Sequence, residues 1–336
     1  MGKKHKQHQP PVSWGIIGCG DVTEIKSGPA FNKVKNSELV AVMRRDAEKA
    51  KDYAHRHHVP KWYADANELI HDPDVNAIYV ATPPSSHEEY TMAAFDAGKP
   101  VYVEKPMSSD AASASRMAKA ANQKKLKLVV AHYRNAQPLF NGIKRFLNER
   151  VIGDVRFVKS ELYKPALSAA ELEIPKNAWR VDPVIAGGGL FHDLAPHQFG
   201  LMNYFFGEAE KLSGISLNQG TLYKADDMVA GNILFKNGVL FNGIWCFNVS
   251  PEDEKDHCRI VGEKGSIAFT FFNQREVIVR VNGRTETFTY DILQHVQQPM
   301  IEKTVDYFLD EGANPCSGEE GALAMKWIEE FTGKTE

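Results

Sequence analysis

No stretch of the chain approaches the ~18 consecutive apolar residues of a membrane-spanning helix, so no membrane partner is expected. Charge of one sign is missing too. The formal net charge is −3 and the isoelectric point about 6.5. That balance offers no broad basic field to phosphate backbones, which argues against nucleic acid. Cysteine is scarce: Cys19, Cys246, Cys258 and Cys316 are scattered without a CxxC pair, a pattern of reduced thiols in a cytoplasm rather than of a disulfide framework. There is no low-complexity tract and no internal repeat, which excludes solenoids and leaves an ordinary globular composition. The opening Met1–Pro11 is polar and lacks the apolar segment of a signal peptide, so residues 1–11 are expected to be a disordered tail.

What remains is a chain of 336 residues, more than one core usually organises, and two domains of roughly 100–200 residues follow. From Val12 to about Ala131, short apolar runs alternate with helical patterns. Val12–Ile17, Leu39–Met43, Ala77–Ala81, Val101–Glu104 and Leu126–Ala131 read as buried strands. Asp46–His57, Ser85–Ala97 and Ser108–Gln123 read as helices. Such alternation predicts a doubly wound parallel sheet covered on both faces. After Pro138 the pattern changes. A helix over Leu139–Arg150 leads into alternating segments with Asn237-Gly238 and Asn282-Gly283 between residues of strand character, both expected to be type I′ hairpin turns. Helical periodicity returns at Val296–Leu309 and Glu319–Phe331, the last able to pack on either domain. The predicted fold is therefore α/β: a doubly wound Rossmann domain over 12–133, then an α+β domain over 134–336 with an open, largely antiparallel sheet. His55, His57 and His58 fall on a surface helix, and no metal site is expected there.

Gly18-Cys19-Gly20-Asp21-Val22-Thr23 follows the first strand and opens a helix. This is a G-x-G-x-x-T version of the dinucleotide fingerprint: Gly18 makes the tight turn, and Gly20 lets the backbone approach a pyrophosphate beside Asp21 and Val22. The second strand ends at Arg44-Arg45, where an NAD-binding protein presents an acid to the ribose 2′-hydroxyl. A guanidinium pairs there with a 2′-phosphate, so NADP(H) is preferred, with NAD(H) possible.

Thr82-Pro83-Pro84-Ser85-Ser86-His87 and Glu104-Lys105-Pro106 follow later strands, at the carboxyl ends where doubly wound sheets bind ligands. Pro106 restricts the backbone of Lys105 and makes the bond between them a candidate for cis. Further on come Trp179-Arg180 and a triple glycine, Gly187–Gly189, ahead of Asp193 and His197. Asp193 and His197 share one face of a helix, and the glycines give that face freedom to meet the cofactor domain.

The glycine loop, the Ala81-Thr82-Pro83-Pro84 turn, Glu104-Lys105-Pro106, Tyr133-Arg134, Trp179-Arg180 and Asp193-x-x-x-His197 together resemble the Gfo/Idh/MocA family, in the same order along nearly the whole chain. The resemblance implies a Rossmann domain and a C-terminal open-sheet domain that forms dimers or tetramers. It implies that Lys105 lies near nicotinamide and the substrate hydroxyl, that His197 exchanges the proton, and that Asp193 orients substrate or tunes the histidine. The implied substrate is a polyol: a sugar, cyclitol, anhydro-sugar or dihydrodiol. Departures are Thr23 at the third fingerprint site and Ala195-Pro196 between Asp193 and His197. Proline is best tolerated in a first turn, which leaves the start of that helix open.

The expected chemistry is reversible hydride transfer between nicotinamide and a secondary alcohol or ketone, with Lys105 supplying charge and His197 the proton. Thr82, Pro83, Pro84, His87, Glu104, Trp179 and Arg180 are expected around the cofactor, and Tyr133 and Tyr163 around the substrate. Two rivals stand beside it: a glycoside hydrolase that retains NAD and oxidises transiently, and a non-catalytic nucleotide sensor.

Overall fold

The computed structural model describes residues 10–273 and 275–333; most of the expected tail, residues 1–9, lies outside them. The first half runs β1 (Val12–Ile17), α1 (Asp21–Ile25), β2 (Ser37–Met43), α2 (Ala47–His57), β3 (Lys61–Tyr63), α3 (Ala66–Ile70), β4 (Ala77–Val80), α4 (His87–Asp96), β5 (Val101–Val103), α5 (Ala111–Lys124) and β6 (Leu128–Val130). The six strands pair in parallel in the order β3-β2-β1-β4-β5-β6. β1, β4, β5 and β6 are buried throughout, as strands covered on both faces must be. Three aspartates start helices: Asp46, Asp65 and Asp110 accept from Lys49 N, Asn67 N and Ser113 N. The three-residue edge strand β3 has no expected counterpart, because Lys-Trp-Tyr is too short to carry a period.

The second half runs α6 (Pro138–Asn148), β7 (Val155–Pro165), α7 (Ala169–Leu172), α8 (Pro175–Ala178), α9 (Pro183–Ala186), α10 (Leu190–Phe206), β8 (Ala209–Leu217), β9 (Met228–Phe235), β10 (Leu240–Val249), β11 (Lys255–Gly262), β12 (Gly265–Phe269), β13 (Glu276–Val281), β14 (Arg284–Thr289), α11 (Gln298–Phe308) and α12 (Gly318–Thr332). The sheet order is β14-β13-β12-β11-β7-β10-β9-β8, with β7 and β10 its parallel pair. At the β13–β14 turn Asn282 and Gly283 both have positive φ (51° and 77°), as a type I′ turn requires. Asn237-Gly238 is corrected: Gly238 alone has positive φ, and Phe235 N reaches Val239 O, a three-residue loop ending in a glycine bulge.

One face of this sheet carries Phe241, Trp245 and Phe247, all fully buried. Trp245 meets Phe191 and Phe199 of α10 and Phe331 of α12. α12 packs on both halves at once. A Cβ at its Gly318 or Gly321 would run into Ala118 or Val130 of the first half, while Phe331 lies against Gly214 and Gly231 of the open sheet. α10 begins at Leu190, so Pro196 sits inside the helix rather than in its first turn. No helix of the described residues is long and apolar enough to cross a membrane.

Candidate active site

Gly18 has φ +94°, and a Cβ there would lie 2.8 Å from Thr82 Cγ2 and 2.9 Å from Thr82 N. The turn therefore needs glycine. At Gly20 the nearest obstacle to a Cβ is 3.9 Å away, so the backbone faces open space. Thr23 is buried, and its hydroxyl donates to Gly20 O at 2.8 Å, tying the turn to α1. Arg44 folds over this loop with Nη1 donating to Cys19 O at 3.3 Å, while Arg45 is exposed. An open backbone cradle after β1 suits the NAD-binding type of Rossmann turn, and Gly18, Gly20 and the start of α1 are the groups that could hold a pyrophosphate there, with Arg44 the cation within reach of the loop.

β4 and β5 deliver the next loops. The Lys105–Pro106 bond is cis. Lys105 Nζ donates to Asp193 Oδ1 at 2.8 Å and to the Asp193 main-chain oxygen at 3.0 Å. Arg180 Nε lies 3.2 Å from Asp193 Oδ2. Burial would raise the Asp193 carboxyl, but the Lys105 and Arg180 charges outweigh it and hold it below the usual range. The triple glycine allows this meeting. A Cβ at Gly187 would lie 2.2 Å from Ser109 O, and one at Gly188 would overlap the His192 ring.

His197 lies one turn along α10, buried edge-on to Tyr133 (5.3 Å) and Phe272 (5.8 Å). Its Nδ1 is buried without a partner. Burial, reinforced by the Arg134 and Lys105 charges, drives its pKa well below 6.5, so the ring is neutral near pH 7. Trp179 lies under the Arg180 guanidinium.

Three expectations are corrected. His87 is fully buried, its ring nitrogens facing the carbonyls of Thr82 (2.7 Å) and Pro106 (3.0 Å); it braces the two loops from behind and lines no cleft. Glu104 is turned inward too, accepting from Tyr79 Oη, Gln297 Nε2 and Lys105 N. Tyr163 lies across the sheet from α10. Its neighbour Leu162 pairs with Trp245, which faces the helix, and side chains alternate along a strand. Tyr163 bonds to Glu161 on the outer face.

Sequence reasoning missed His132, Arg134 and Lys26. Burial and the Lys105 charge push His132 down to about 4, and a Cβ at Gly200 of α10 would strike its ring. Arg134 and Lys26 act on His197 through their charges. Arg134 stands beside Tyr133 in the quoted motif, which was a signal; a lone lysine at the end of α1 gives none.

Two family models match the chain: an oxidoreductase family with an NAD-binding Rossmann fold over residues 12–132, and the GFO/IDH/MocA C-terminal domain over 140–268. The chain belongs to the Gfo/Idh/MocA oxidoreductase family. It is 45% identical over 322 residues to Oxidoreductase P35 of Formosa agariphila, covering 96% of this chain and 98% of that protein. It is 26% identical over 297 residues to the trans-1,2-dihydrobenzene-1,2-diol dehydrogenase of Xenopus laevis (86% and 83%). The structure of a levoglucosan dehydrogenase in complex with NADH and levoglucosan superposes with a TM-score of 0.84, at 20% identity over 96% of each chain.

Proposed function

We propose that this oxidoreductase interconverts a secondary alcohol and a ketone on a sugar, cyclitol or related polyol, preferring NADP(H). The Lys105–Asp193–His197 arrangement, with Lys105 after β5 at the same carboxyl end of the sheet as the glycine loop after β1, carries this reading. The bound nicotinamide supplies the hydride acceptor or donor. In the oxidative direction, neutral His197 takes the hydroxyl proton at Nε2, and the Lys105 ammonium stabilises the developing alkoxide. Asp193 positions the Lys105 ammonium between the domains, with Arg180 sharing its carboxylate. Sugar- and diol-oxidising relatives support the substrate class.

Arg44, placed over the glycine loop, supports the NADP(H) preference. Fluorescence titration with NADPH and NADH tests it. NADPH is expected to bind tighter, with Arg44→Asp removing the difference; equal or tighter NADH binding would reverse the assignment. A screen of polyols at the nicotinamide absorbance band tests the reaction, and release of a leaving group without net cofactor change would favour a hydrolase. We also infer assembly as a homodimer or homotetramer through the outer face of the open sheet. Ile215, Leu217, Leu240 and Phe157 are exposed on that face, and light scattering on Ile215→Glu reads it.

A further inference from the structure

We infer that the substrate carries a carboxylate, as a uronic or aldonic acid does, and that Arg134 binds it. The inference rests on the proposed polyol chemistry and narrows it. Arg134 is 5% exposed, and a guanidinium taken out of water needs compensation. The fold supplies little. Nε donates to Phe271 O at 3.1 Å, the planar group rests on the rings of Tyr133 (5.0 Å) and Phe272 (4.7 Å), and Nη1 has no partner. No carboxylate pairs with it among the described residues. The same two rings flank His197, so the guanidinium stands in the shell of aromatic side chains that surrounds that ring.

The missing anion is not the cofactor's pyrophosphate. Arg134 follows β6, and the phosphate loop follows β1, three strands away in the order β1-β4-β5-β6. At about 4.8 Å per strand that is roughly 14 Å. Nor is it Asp193, which Lys105 and Arg180 already share. A planar fork held between aromatic faces suits the two coplanar oxygens of a carboxylate. A neutral polyol would leave the guanidinium charge unanswered.

The test compares matched pairs, D-glucuronate against D-glucose and D-galacturonate against D-galactose, by calorimetric titration of the wild-type protein with NADP⁺ present and by nicotinamide absorbance. The acid of each pair is expected to bind about 10-fold or more tighter, with Arg134→Met weakening the acid more than the neutral sugar and so erasing the difference. Equal binding of acid and sugar to the wild type overturns the inference, as does an Arg134→Met that weakens both alike. The wild-type comparison stands even if the variant does not fold. Tighter binding of the acids without any turnover supports the carboxylate site and counts against the proposed reaction instead; turnover of neutral sugars alone does the reverse.

Discussion

Lys105 and Asp193 are 88 positions apart in the chain, and their side chains meet at 2.8 Å between the parallel and the open sheet. Removing either partner leaves the other charged and only 12–15% exposed, so the pair acts as a unit.

If Lys105 and His197 have the assigned roles, Lys105→Met and His197→Ala each lower kcat about 10²-fold or more. Cofactor affinity should stay within a few-fold, because neither residue touches the glycine loop. Steady-state kinetics beside fluorescence titration separate the two effects, and unchanged turnover would sink the assignment.

Gly18→Ala should weaken cofactor binding and destabilise the fold by at least about 1 kcal/mol, since φ +94° is strained for any L side chain and the added carbon meets the Thr82 backbone. Denaturant midpoints with and without NADPH read both losses.

Glu104 accepts on both oxygens from Tyr79, Gln297 and Lys105 N. In Glu104→Gln an amide N–H₂ must face at least one of those donors. A loss of about 1–3 kcal/mol follows, with reduced kcat through a displaced Lys105. Stability equal to wild type would contradict the network.

Acid sensitivity follows from two buried histidines. His197 and His132 have folded pKa values below 6.5, His132 at about 4, chiefly from burial. The unfolded chain therefore binds more protons below about 6.5, and stability that is complete above that pH falls as pH drops toward 4. Each histidine contributes a slope of up to about 1.4 kcal/mol per pH unit in that window. Paired carboxylates such as Glu24, held at about 2 by the Arg56 hydrogen bond, add their losses only below the unfolded value of about 4.5. Urea titrations at several pH values on wild type and His132→Asn should show the variant with the shallower slope.

Trp327 of α12 is buried among Phe199 and Phe235. Trp327→Ala should cost about 3–5 kcal/mol, and a smaller loss measured by denaturation would mean that α12 docks independently of this cluster.

The sequence by itself determined the strands β1, β2, β4, β5 and β6 and their membership of one parallel sheet, because short apolar runs alternating with helical patterns leave little to misread; their order in the sheet came from the structure. It also determined the glycine turn and named Lys105, Asp193 and His197, since backbone freedom and titratable chemistry are properties of single residues. Tertiary structure decided the rest. His87 and Glu104 stand in ligand-facing loops by sequence and point inward in space, because each side chain answers buried carbonyls or donors brought from elsewhere. Tyr163 lies on the far face through strand register, which a one-residue slip would reverse. Arg134 became visible as an unpaired charge only when α10 and the loop carrying Phe272 closed around it, since burial and missing partners are relations between distant segments.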